Sequence, residues 1–158
     1  MTRIGILSDT HLREASVDLA RRAKQVWGPV DMILHAGDIT NLSVLDSFSP
    51  PEVIAVAGNM DFAPVKANLP DRLVLEVEGF RIGLTHGWGS PFGLAGRVAA
   101  SFENVHAVVF GHSHRACNVV KNGTLLFNPG SAGGSRVASA TVGLLIVDSE
   151  IEGRILKL

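Results

Sequence analysis

One cysteine stands among 158 residues, basic residues form no cluster, and no apolar run approaches the length of a membrane span. Each shortage removes a class of protein. A lone Cys117 closes no internal disulfide and builds no cysteine metal cluster, which fits a reducing compartment. Lysine and arginine (14) nearly balance aspartate and glutamate (15), for a formal charge of -1. A chain whose main task was to neutralise a nucleic-acid backbone would carry a basic face. The apolar stretch 4–7 behind Met1-Thr2-Arg3 is too short for a signal-peptide core. The most apolar later segment, 142–147, falls far below the roughly 20 residues of a spanning helix. The sequons at Asn41-Leu42-Ser43 and Asn122-Gly123-Thr124 mean nothing without a secretion signal. A cytoplasmic protein is expected, with neither membrane nor nucleic-acid polymer as partner and with a homodimer left open.

What is present is a core. Hydrophobic residues make up 46% of the chain and charged ones 18%, which predicts packing and excludes disorder. The length fits one domain, 1–158, burying about 68–70% of its unfolded surface. A strand at 3–8, a helix at 17–26 and a strand at 32–35 form a strand–helix–strand unit, hence a parallel pair with a right-handed crossover. Within that helix Leu19, Ala20, Ala23 and Val26 recur at helical spacing. A short helix near 42–48 leads past Pro50-Pro51 to a strand at 53–57. Strands 73–77 and 80–85 flank Glu78-Gly79 as a hairpin, and a helix at 93–102 precedes a strand at 107–110. Segments 118–120 and 124–127 enclose Asn122-Gly123, the strongest short hairpin signal, and strands follow at 141–147 and 154–158. A mixed first half with hairpins behind it suggests an α/β fold, two packed mixed sheets flanked by helices in a four-layer α-β-β-α sandwich, which the layer rules allow without demanding it.

Five of the apolar runs close in polar or glycine-containing turns. They deliver Asp9-Thr10-His11, Gly37-Asp38, Gly58-Asn59-Met60-Asp61, His86-Gly87 and Gly111-His112-Ser113-His114. A buried strand stopping at a loop has this pattern, and carboxyl ends of strands are where ligands collect in α/β sheets. Asp9 and His11 lie two apart on chain that reads as extended, so both point to one side; His112 and His114 repeat the spacing. Two such pairs suit two adjacent ions, with Asp38 bridging through its two oxygens, Asn59 offering an amide oxygen and His86 an imidazole. The donors are nitrogen and oxygen alone, which favours manganese, iron, zinc, nickel or cobalt. Gly37, Gly58 and Gly111 precede ligands where a side chain would crowd the site.

Blander readings apply elsewhere. His35, on a buried-looking strand, reads as a core or supporting residue, His106 as solvated, and Cys117 as small and buried. Trp88 and Phe92 could wall a substrate pocket or simply pack. The glycine-rich stretch 130–136 could offer backbone N–H groups and Arg136 to phosphate, but most such loops are only turns.

The ordered set D-x-H, G-D, G-N-x-D, H-G, G-H-x-H resembles that of the calcineurin-like metallophosphoesterases, over nearly the whole chain. The short length and the segment Asn128-Pro129-Gly130-Ser131 are similar to their small bacterial and archaeal phosphodiesterase branch. That resemblance implies a first metal on Asp9, His11, Asp38 and His114 and a second on Asp38, Asn59, His86 and His112. Asp38, Asn59 and His86 would carry catalysis. Two divalent ions, manganese foremost, would hold a bridging hydroxide that attacks phosphorus in line on a small phosphodiester. Asp61 would support the site instead of binding metal. One position departs from the pattern: many relatives acting on monoesters or phosphoproteins have histidine after the asparagine, and here Met60 stands there. Two other functions compete. One is a non-catalytic scaffold, as in a eukaryotic trafficking subunit that resembles this fold but lacks part of the ligand set. The other is a nuclease, which the charge balance disfavours.

Overall fold

The parallel pair forms as the pattern predicts. Strand β1 (Thr2–Leu7) lies beside β2 (Met32–His35), with Ile4 opposite Met32 and Leu7 opposite His35, and α1 (Val17–Trp27) makes the crossover. Ser16 caps α1 by accepting from the Leu19 N–H at 3.2 Å. Asp18 in the first turn and Lys24 in the last suit the helix dipole. The helix runs one residue further than its periodicity indicated. Val26 faces water while Trp27 is buried, its ring lying against Gly5 of β1. This computed structural model describes residues 1–134 and 139–158.

β2 pairs in parallel with β3 (Glu52–Ala55), while β9 (Thr141–Val147) runs antiparallel to β1 and to β10 (Ile151–Lys157). The first sheet therefore has the order β10-β9-β1-β2-β3. The second is β4-β5-β6-β8-β7, built from β4 (Arg72–Val77), β5 (Phe80–Thr85), β6 (Ala107–Val109), β7 (Cys117–Lys121) and β8 (Thr124–Asn128). Both hairpins, around Glu78-Gly79 and Asn122-Gly123, are present.

Alternation along the strands sets the layers. Ile4, Ile6 and Leu34 of the first sheet meet Ile82, Leu84, Val109 and Phe127 of the second. Leu7 and Ile33 turn outward onto Leu19, Ala23 and Trp27 of α1 and Val44 of α2 (Ser43–Asp46). On the far side Val108 and Leu126 pack under Leu94 and Val98 of α4 (Leu94–Ala100). Full burial of each valine, leucine, isoleucine or phenylalanine among them contributes about 1.5–3 kcal/mol. The four-layer α-β-β-α sandwich is the observed fold.

Two elements depart from expectation. β10 begins at Ile151, not at 154, because Gly153 interrupts the apolar alternation; it sits under the Phe127 ring, where a Cβ would clash at 2.7 Å. The helix α3 (Ala63–Asn68) was not foreseen: it has six residues, of which Val65 alone is buried, too short to show a period. No helix among the described residues is long and apolar enough to cross a membrane.

Candidate metal centre

The five polar turns leave the carboxyl ends of β1, β2, β3, β5 and β6, and they meet. Donor atoms of Asp9, His11, Asp38 and His114 all lie within 4.8 Å of one another. Asn59 Oδ1 lies 3.1 Å from His86 Nε2 and 3.0 Å from His112 Nδ1, which forms a second group. Asp38 Oδ2 stands between the groups, 3.6 Å from His11 Nε2 and 3.4 Å from His86 Nε2. All seven expected donors are thus in one place.

How they get there differs from expectation. Asp9, His11, Asp38, His112 and His114 are not extended: their φ angles are 54, 50, 56, 68 and 56°, in the left-handed region. The loops are laced together, with Asp9 N–H donating to the Gly37 carbonyl and His11 N–H to the Asp38 carbonyl, each at 3.0 Å. Left-handed backbone costs roughly 1–2 kcal/mol per residue, and such strain gathers at functional sites. Asp38 also differs. Its Oδ1 accepts from the Met60 N–H at 2.8 Å, so Oδ2 alone faces both groups.

Hydrogen bonds fix two of the rings. His86 Nδ1 donates to the Ala36 carbonyl at 2.7 Å, which turns Nε2 toward Asp38. His112 Nε2 donates to the Gly89 carbonyl at 2.7 Å, which leaves Nδ1 facing Asn59. A carbonyl only accepts, so in each neutral ring the nitrogen facing the site keeps its lone pair, as a metal ligand must.

The charge pattern calls for a cation. Asp9 is fully buried; its Oδ2 accepts from Ser8 Oγ and from the His112 N–H. Among the described residues its Oδ1 has no hydrogen-bond partner. His114 Nε2 lies 3.1 Å from that atom without hydrogen-bonding alignment. Buried carboxylate oxygens are rarely left so, and a divalent ion between Asp9 and Asp38 would satisfy this one. Burial opposes the Asp38 charge, but the His86 ring and the Met60 N–H outweigh it and hold its carboxyl below the usual range. Burial likewise opposes a charged His86, yet Asp38 and Asp9 raise its proton affinity; Asp9 raises that of His114. The pocket draws positive charge, and the donors present fit a metal.

Close approach explains the glycines. A Cβ on Gly58 would overlap the Asp38 carboxylate, and one on Gly111 would overlap Ser8 Oγ. Gly58→Ala should weaken manganese binding by about 10–100-fold, the usual effect of disturbing a ligand's support, while the fold survives. Calorimetric titration measures this; unchanged affinity would mean that Asp38 tolerates displacement.

Asp61 is buried and accepts from Gly58 N–H at 2.7 Å and from Thr40 N–H, so it supports the loop beneath Asn59. His35 is buried too. It accepts from Gly37 N–H at 3.2 Å and donates to Thr10 Oγ1 at 3.1 Å, and burial lowers its pKa to about 3. That neutral ring is a supporting residue, as expected. His106 is exposed but not idle: its Nδ1 accepts from Arg81 N–H at 2.9 Å. Cys117 is half-buried. Trp88 and Phe92 stand on the loop after His86 with 47% and 79% exposure. Arg136 lies outside the described residues.

Reading the sequence missed the clamps. Asn128 Nδ2 donates to the Gly111 carbonyl at 2.7 Å and Oδ1 accepts from Gly130 N–H at 2.9 Å, while Ser131 Oγ donates to the Asp9 carbonyl at 2.9 Å. The Asn-Pro-Gly-Ser segment after β8 was their visible signal.

Two buried carboxylates, four imidazoles and an amide at the strand ends of an α/β sandwich belong to a class that binds divalent metal. The profile of the calcineurin-like phosphoesterase superfamily domain matches residues 2–150, and the chain belongs to that superfamily. It is 32% identical to a probable metallophosphoesterase of Methanocaldococcus jannaschii, over 97% of this chain and 80% of that protein. Among solved structures, an archaeal phosphodiesterase superposes with a TM-score of 0.81 at 25% identity, covering 99% of each chain. Vps29 of Chaetomium thermophilum shares the fold, with a TM-score of 0.76 at 19% identity over 100% of this chain and 97% of that one.

Proposed function

We propose that this chain is a metal-dependent phosphodiesterase, one domain over residues 1–158, with a dinuclear centre and a small phosphodiester substrate. The observation that carries the reading is Asp38 Oδ2, set between the Asp9–His11–His114 group and the Asn59–His86–His112 group. Asp38 is the shared ligand, Asp9, His11 and His114 complete the first position, and Asn59, His86 and His112 complete the second. Two divalent ions, manganese foremost, would supply an activated hydroxide and neutralise charge on the phosphoryl oxygens. Asp9 and Asp38 provide the negative charge that retains the ions, and the Ala36 and Gly89 carbonyls hold His86 and His112 in the tautomers that ligate. The single cysteine fits work in a reducing cytoplasm.

A scaffold of the same fold is the second reading, favoured by four exposed apolar side chains, Met60 and Phe62 on the loop with Asn59 and Trp88 and Phe92 on the loop after His86. The complete set of seven donors weighs against it. Reconstitution with excess manganese should give two ions per chain by metal analysis, with two anomalous peaks beside Asp38. A single ion at saturation would sink the dinuclear reading.

A further inference from the structure

Beside His86 lies a cavity of about 280 Å³, lined by Ala57, Asp71, Arg72, Thr85, His86 and Trp88. It lies where β3 and β4 form the edges of the two sheets, and His86, a proposed metal ligand, is among its lining residues. We propose that this cavity is a subsite for an aromatic ring carried by an ester group of the substrate. The proposal rests on the phosphodiesterase reading and names the substrate class it would take.

Three observations carry it. First, Trp88 leaves 47% of its surface to water beside a cavity that begins at a proposed metal ligand, whereas Trp27 is packed away in the core. Second, the wall is held in place. Arg97 Nη1 donates to the Phe92 carbonyl at 2.8 Å and Nη2 to the Trp88 carbonyl at 3.0 Å, with the Ser90 carbonyl as a third acceptor. His112 pins the same loop through the Gly89 carbonyl at 2.7 Å. A guanidinium fork on three carbonyls fixes the backbone from Trp88 to Phe92, so little ordering of that loop remains to be done when a ligand arrives. Third, the chemistry around the wall suits a flat ring better than an alkyl chain. Trp88 supplies an aromatic ring, Arg72 a planar cation whose Nη1 donates to the Ser101 carbonyl at 3.0 Å, and Asp71 a carboxylate. Because His86 lines the cavity, an ester substituent of a phosphoryl group bound at the metal centre would have it as a neighbour.

Stacking of one ring on an aromatic side chain is worth on the order of 10-fold or more in affinity. The test compares phenylphosphonate with methylphosphonate, stable anions that share the phosphorus end and differ in the ring. Binding to the manganese-loaded protein is measured by calorimetry. The wild type should bind phenylphosphonate at least 10-fold more tightly than methylphosphonate. That ratio should fall to about one in Trp88→Ala and be largely kept in Trp88→Phe. Equal affinities in the wild type, or a ratio that survives Trp88→Ala, would overturn the subsite. If neither phosphonate binds the loaded protein, the phosphodiesterase reading beneath it falls instead.

Discussion

Asp38→Ala should reduce manganese-dependent turnover of an activated phosphodiester by far more than 100-fold. Disturbing the partners that merely orient a ligand costs about 10–100-fold, and Asp38 is proposed as the ligand both positions share. The fold should persist, because Asp38 sits in the loop after β2 and none of the three hydrophobic clusters includes it. Asn59→Ala and His86→Ala should behave alike, each removing a donor from the second position. His106→Ala is the control. Its ring accepts one backbone N–H and meets Phe80 edge-on at 5.2 Å, so the change should cost about 1 kcal/mol of stability and little turnover. Turnover is read with protein saturated in manganese and folding by circular dichroism. An Asp38→Ala enzyme with near-normal manganese-dependent turnover would refute the assignment.

The sandwich was legible where local rules and tertiary packing agree. The β1–α1–β2 unit and the Asn122-Gly123 hairpin follow from period and turn chemistry, and the four layers are one arrangement that the layer rules allow. Where a single glycine or a short element intervened, the pattern failed. Gly153 hid the first half of β10 because its task is to make room for Phe127, a residue 26 positions away that only the folded chain brings near. At the site the seven donors were legible because each follows a strand, and strand ends are readable. Their conformations were not. The left-handed turns at Asp9, His11, Asp38, His112 and His114 depend on loops lacing into each other, as when His11 N–H meets the Asp38 carbonyl. The engagement of Asp38 Oδ1 by the Met60 N–H, and the carbonyls that set the His86 and His112 tautomers, are likewise long-range contacts with no local signal. Arg97 shows the same limit: its role as a clamp on the Trp88 loop appears only in three dimensions.

Met60 sets the largest expected selectivity. A leaving alkoxide needs a proton unless it is already stable, and a thioether can give none. Loss of a general acid typically costs about 10²–10⁴-fold for poor leaving groups. The protein should therefore hydrolyse bis-p-nitrophenyl phosphate readily, since nitrophenolate departs unaided, and act slowly on alkyl phosphomonoesters. The geometry allows a clean test. Met60 contributes to the centre through its backbone N–H, which donates to Asp38 Oδ1 at 2.8 Å, while its side chain is 57% exposed. Met60→His keeps that backbone bond and places an imidazole at the rim. It should accelerate esters of high leaving-group pKa by about 10-fold or more and leave activated diesters nearly unchanged, so the slope of log rate against leaving-group pKa should flatten. Turnover of wild type and Met60→His across esters of graded leaving-group pKa measures both slopes. Parallel lines would show that residue 60 has no part in protonation, and the preference for activated diesters would then have to arise elsewhere in the centre.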